Sequence, residues 1–170
     1  MSKRHILKSI PTKILLPIDF SPSSQVALET AVDLASHFHA EIFFLNVLPL
    51  FSTFTSEYAV PQVQFQQEEK TRAEKHLAKA RAVLTARGVK AGSSVELAND
   101  IAGCIMEAVE REHIDMVVIS THGISGWHPL VFGSIAEKVV RLVQCPLLLL
   151  HSAKPDTGVK TPSDRSMEWW

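Results

Sequence analysis

Short apolar runs alternate with amphipathic stretches along this chain. Lys13-Ile-Leu-Leu-Pro-Ile-Asp19 is a compact apolar run that predicts a strand. Ser21-Pro22 then opens a helix, with serine as the N-cap and proline at the first helical position. Val26, Ala27, Thr30, Ala31, Leu34, Ala35 and Phe38 recur at helical spacing and give that helix one buried face. Glu41-Ile-Phe-Phe-Leu-Asn-Val47 is almost wholly apolar, as expected of a strand covered on both faces. Residues 48–63 break the pattern with Pro49, Pro61 and scattered Ser, Thr and aromatics. A connection of that length is expected to be functional or variable.

A charged amphipathic helix is predicted over Gln64–Arg87, ended by Gly88 at a left-handed cap. Ser93–Leu97 is a weaker strand, and Asp100 caps a helix carrying Ile101, Ile105, Met106 and Val109. Asp115–Ser120 is the fourth strand, Ser134–Val143 the last core helix and Pro146–His151 the fifth strand. Strict alternation of this kind implies right-handed βαβ units. The expected fold is α/β, an open, doubly wound five-stranded parallel sheet with helices on both faces. The domain is placed at residues 13–152, with an N-terminal extension over 1–12 and a flexible polar tail over 153–170. Trp169-Trp170 is unusual in such a tail; the alternatives are disorder and docking on a partner subunit.

Composition narrows the function classes. The 170 residues are 46% hydrophobic and 21% charged, enough for one domain with a real core. Formal net charge is −1 with no block of like charges, which argues against nucleic acid or an anionic membrane as partner. No apolar run reaches the ~18 residues of a spanning helix, and no signal-peptide core follows the basic start. Cys104 and Cys145 belong to no CxxC or Cys/His cluster and read as buried, inert thiols of a cytoplasmic protein.

In a doubly wound sheet, ligands bind beyond the carboxyl ends of the strands where strand order reverses. Pro17-Ile18-Asp19 is one such end. The Asp19 carboxylate there either receives ribose hydroxyls or a metal, or caps the turn into the first helix. The other is the connection from Ser120 to Ser134. Gly123 allows a sharp turn and close backbone approach, and Gly133-Ser134 opens a helix whose free N–H groups favour an anion. The alternative is internal: Ser134-Ile-Ala-Glu137 has the form of a capping box that would satisfy the same N–H groups.

Other signals fail. No GxxxxGK[ST] occurs, and Trp127 replaces the second glycine that a GxSxG nucleophile elbow requires. His37 and His39 flank the end of the first helix, where the dipole favours imidazolium, and two-apart spacing suits no helical chelate. His122 and His128 bracket the long connection and read as solvated loop residues rather than metal ligands. A flavodoxin-like site would need a Ser/Thr-rich phosphate loop after the first strand, whereas "DFSPSS" runs straight into a helix.

From Lys13 to Ser152 the chain resembles the universal stress protein family. The resemblance lies in "ILLPIDFS", in the second strand ending "LNV", and in the fourth strand entering "STHG" followed nine residues later by "GS". The nucleotide-binding branch of that family carries G-x2-G-x9-G-[S/T]. Gly123, Gly133 and Ser134 match its last three fixed positions, and Ser120 stands in place of its first glycine. The resemblance implies a Rossmann-like fold, of the adenine-nucleotide alpha-hydrolase type, binding ATP with Mg²⁺. Pro17, Ile18 and Asp19 would line the adenosine side and Val47 would offer backbone groups to adenine. Ser120, His122 and Gly123 would flank ribose and phosphates, and Gly133, Ser134 and Ile135 would hold the outer phosphates. It also implies a stress-response or signalling role, at most slow ATP hydrolysis, and a homodimer through strand 146–151. Phosphorylation of Ser134 lies within the family's repertoire. Two features depart from the pattern: the side chain at Ser120, and the lack of any Lys or Arg in 120–134. The alternative is a dimeric interaction or regulatory protein of the same fold that binds no nucleotide.

Overall fold

The computed structural model describes residues 10–50, 59–121, 133–151 and Trp169. The elements follow the predicted alternation: β1 (Lys13–Pro17), α1 (Pro22–Phe38), β2 (Glu41–Leu48), α2 (Ala59–Ala86), β3 (Ala91–Leu97), α3 (Ile101–Arg111), β4 (Met116–Ser120), α4 (Ser134–Leu142) and β5 (Leu147–Leu150). They form one five-stranded sheet of order β3-β2-β1-β4-β5, and every neighbouring pair is parallel. After β1 the chain builds outward through β2 and β3, then crosses back to place β4 on the other side of β1. Strand order therefore reverses between β1 and β4.

The period-2 alternation of each strand divides the core into two layers. Ile14, Leu16, Ile42, Phe44 and Val118 pack with Leu28, Ala31, Leu77 and Leu84 of α1 and α2. Leu15, Phe43, Leu45, Val117 and Ile119 pack on the opposite face with Ala102, Ile105 and Val139 of α3 and α4. Ile14, Leu15 and Leu16 are wholly buried, each worth roughly 1.5–3 kcal/mol relative to exposure. At the amino end of the sheet, Asp115 ties β4 to β1. Its Oδ1 accepts from the Lys13 backbone N–H at 2.8 Å, and its Oδ2 accepts from Thr12 Oγ1 at 2.5 Å.

Element ends shift for identifiable reasons. β1 stops at Pro17 because the chain turns through Phe20, held at φ 61. α2 starts at Ala59 rather than Gln64, which takes Pro61 into its first turn. The missing proline N–H costs nothing there, since the first four helical N–H groups have no intrahelical acceptor. β3 starts at Ala91, where the ladder with β2 reaches back to Ile42; its weak apolar pattern hides that extension. Gly88 caps the end of α2 at φ 77, as predicted.

Two expectations need correction. Trp169, weighed between disorder and docking on a partner subunit, packs on its own chain: it is 3% exposed within the α1–α2 core layer. The Arg87 guanidinium lies 4.8 Å from its ring centroid. The cysteines are free but half-buried rather than buried. Burial raises the pKa of both, with Glu96 adding to the effect at Cys104, so neither is activated as a thiolate. Among the described residues no helix is long and apolar enough to cross a membrane.

Candidate functional site

The turn after β1 is built by local hydrogen bonds. Ile18 donates its backbone N–H to the Leu45 carbonyl at 2.9 Å, and Asn46 Nδ2 donates to the Ile18 carbonyl at 2.7 Å. Asn46 is 3% exposed, so this clamp operates in a dry setting where it is strongest. Phe20 then adopts a left-handed conformation unusual for a bulky residue, and its ring packs 5.2 Å from that of His76 on α2. That reversal brings Ser21 back to Asp19, whose Oδ1 accepts from Ser21 N at 3.0 Å and from Ser21 Oγ at 2.6 Å. Ser21 Oγ in turn accepts from Ser24 N, capping α1. The capping role weighed for Asp19 is thus present, and the same residue also lines the cavity described below.

The second half of the site joins β4 to α4. Thr121, 2% exposed, donates its N–H to the Leu150 carbonyl at 2.8 Å. Its own carbonyl accepts from Gly133 N at 2.9 Å, and its Oγ1 lies 3.2 Å from His151 Nδ1. These contacts pin the chain on both sides of residues 122–132 to one point. A Cβ at Gly133 would stand 3.0 Å from the Thr121 carbonyl oxygen, closer than a side chain is comfortably accepted.

The start of α4 corrects the capping-box expectation. The N-cap is Gly133, with no side-chain cap hydrogen bond. Ser134 is therefore the first helical residue, one position too late to cap. Glu137 reaches the other way, accepting from Arg141 Nη2 at 2.6 Å, because an i,i+4 partner on the exposed face is nearer than the helix start. The amino end of α4, with its partial positive charge, lines the cavity with no side-chain cap among the described residues.

Between the two halves, at the reversal of strand order, lies a cavity of about 340 Å³. Pro17, Ile18 and Asp19 line one side, Val47 another, and Ser120, Gly133, Ser134 and Ile135 a third. Those eight are expected site residues brought together from β1, β2, β4 and α4; His122 and Gly123 lie outside the described residues. Sequence reasoning missed Thr121, Ser24 and the floor made by Ile101 and Ile105. The isoleucines carry the ordinary signature of a core-facing helix, so periodicity alone does not mark them as lining. Asp19 is the only charged residue among the described lining residues.

The site fits an adenine nucleotide in outline: an apolar slot beside strand ends, a glycine held tight against backbone, and an uncapped helix start. No cluster of three or more metal-ligating side chains occurs among the described residues. A bound Mg²⁺ would therefore rely on phosphate oxygens, Asp19 being the carboxylate among the described lining residues.

Residues 11–151 match the profile described as the Universal stress protein family. This chain belongs to that family. Among curated relatives, universal stress protein YxiE of Bacillus subtilis is 30% identical over 146 residues, covering 82% of this chain and 98% of its own. Universal stress protein MJ0531 of Methanocaldococcus jannaschii is 29% identical over 145 residues, covering 85% and 84%. Among solved structures, universal stress protein UspA from Lactobacillus plantarum superposes with a TM-score of 0.75 at 20% identity, over 84% of this chain and 99% of that one. A family member in complex with cAMP matches at TM-score 0.55 and 18% identity, over 85% and 100% of the chains. One from Archaeoglobus fulgidus in complex with dAMP matches at 0.57 and 16%, over 81% and 96%. At these identities the structural likenesses establish the shared fold, and the nucleotides belong to those proteins.

Proposed function

We propose that this chain is a nucleotide-dependent stress-response or signalling protein that binds an adenine nucleotide in the cavity between β1 and β4. The triphosphate ATP is taken as its Mg²⁺ complex. The observation that carries the reading is the pairing of that cavity with the uncapped start of α4, locked in place by Gly133 against Thr121. Adenosine lies in the apolar slot by Ile18, Val47 and Ile101, and phosphate oxygens receive the N–H groups of Ser134 and its neighbours. Hydrolysis is at most slow: the carboxylate nearest the site, Asp19, is engaged with Ser21 rather than poised as a base. The protein works in the cytoplasm as a homodimer joined through β5, the apolar edge strand. Calorimetry with Mg·ATP, on folded protein stripped of carried-over nucleotide, tests this; micromolar affinity is expected.

A second reading draws on the lining itself. With no Lys or Arg among the described lining residues, a dimeric interaction protein that binds no nucleotide has physical support. Silence in calorimetry up to millimolar nucleotide would select it and overturn the first.

A further inference from the structure

One member of the α1–α2 core layer comes from outside the family domain. Among the described residues, the other members of that layer lie between Ile14 and Leu150, within the family-matched segment 11–151. Trp169 lies beyond that segment, yet it is 3% exposed within the layer. It stacks with Arg87, just before β3, whereas β5 is the opposite edge of the sheet. The diagonal from the carboxyl end of β5 to the amino end of β3 is about 30 Å by strand spacing and rise. A chain as long as residues 152–168 reaches roughly 55 Å when extended, so one copy can supply the tryptophan that fills its own layer.

The layer grips the ring and leaves the polar atom unpaired. The Arg87 guanidinium lies 4.8 Å from the ring centroid, an arrangement that favours an aromatic face. The indole Nε1 is buried with no hydrogen-bond partner among the described residues. A buried indole ordinarily finds an acceptor. The unpaired N–H opposes burial, because undocking returns it to water. Neither Trp169 nor Arg87 lines the cavity between β1 and β4.

We infer that the α1–α2 layer carries a binding seat for an aromatic side chain, separate from that cavity, which Trp169 of the same chain occupies reversibly. The seat is independent of the nucleotide reading.

The test empties the seat in the full chain with Trp169→Gly and adds indole as the probe. The variant is expected to melt below the wild type, and millimolar indole to restore part of the lost Tm. Calorimetry should show indole binding to the variant at sub-millimolar affinity and no binding to the wild type, whose seat is filled. A folded variant that binds no indole would overturn the inference, since the layer would then have closed over the lost side chain. Equal stabilisation of the wild type would place the indole elsewhere and overturn it as well. Loss of self-association in Trp169→Gly would overturn occupancy by the same chain, since Trp169 would then fill the seat of a second copy. Hydrogen exchange on the unmutated chain decides the matter even where the variant fails to fold. The Trp169 Nε1–H, identified as the resonance missing from Trp169→Phe, should be protected at least about a hundredfold less than the β2 amides of Ile42–Leu45, which open with the whole domain. Protection equal to those amides would overturn reversible occupancy.

Discussion

Gly133 offers the sharpest separation of site from scaffold. In Gly133→Ala the new Cβ would lie 3.0 Å from the Thr121 carbonyl oxygen. That oxygen is backbone, fixed by the Gly133 N–H itself, while the Thr121 N–H is fixed to Leu150. Relief requires the start of α4 to move by a few tenths of an ångström. Overpacking of this kind costs about 1–3 kcal/mol, and loss of glycine's unfolded-state freedom returns about 0.4–1 kcal/mol. The net cost is at most about 2.6 kcal/mol, a fall in Tm of up to roughly 10 °C for a chain of this size. The effect on ligand should be larger in kind, because the displaced helix start is what meets phosphate. Losing one charge-assisted N–H contact costs about 1.5–3 kcal/mol, so affinity should fall tenfold or more. Gly88→Ala is the control. At φ 77 it forces alanine into a left-handed conformation at a cost of about 1–2 kcal/mol, yet its Cβ would meet open space, far from the cavity. Calorimetry and thermal melts on both variants should show destabilisation of at most about 2–3 kcal/mol in each but loss of nucleotide affinity only for Gly133→Ala. Equal affinity in the two variants would refute the claim that the Gly133–Thr121 approach positions the anion site.

The edge strand can be probed at Leu149. Pro146 and Leu150 turn their carbonyls toward β4, so the Leu149 N–H points to the free edge. Leu149→Pro removes that group together with a side chain packed on the α3–α4 layer, while Leu149→Ala, which keeps the N–H, controls for the lost side chain. Light scattering should show the proposed dimer converted to folded monomer; a dimer that persists would place the interface elsewhere. Trp169→Ala should lower stability by about 3 kcal/mol, the low end for a buried aromatic, read by denaturant unfolding, whereas Trp169→Phe should be near neutral because the indole Nε1 has no hydrogen-bond partner among the described residues. Glu112 has its pKa lowered, first by the hydrogen bond from Lys13, against burial and with help from Arg111. A carboxyl depressed in the folded state stabilises above its unfolded pKa and loses that contribution as pH falls through the usual glutamate range and below. Lys13→Met should therefore flatten the acid limb of the Tm-versus-pH curve, and an unchanged limb would show that the pair contributes nothing.

The strand–helix alternation was legible because it depends on period and local chemistry. β2 reads as doubly covered because Ile42-Phe-Phe-Leu45 must bury side chains on both faces, and Ser21-Pro22, Asp100 and Gly88 mark helix ends through bonds and dihedrals local to a few residues. The site's two strand ends were legible for a related reason: a doubly wound order leaves one crevice, and Asp19 and Gly133-Ser134 flank it. What the sequence left open was settled by distances between segments remote in the chain. Whether Ser134 caps its own helix depended on which residue becomes the N-cap, and Thr121, twelve positions away, takes the Gly133 N–H and sets that register. Asp19 proved to hold the turn and line the cavity together, since the left-handed Phe20 that makes this possible is supported by His76 on another helix. Ile101 and Ile105 became cavity floor, and Trp169 became core, through packing that no local pattern encodes. Periodicity reports which face of an element is buried; only the folded chain decides what that face meets.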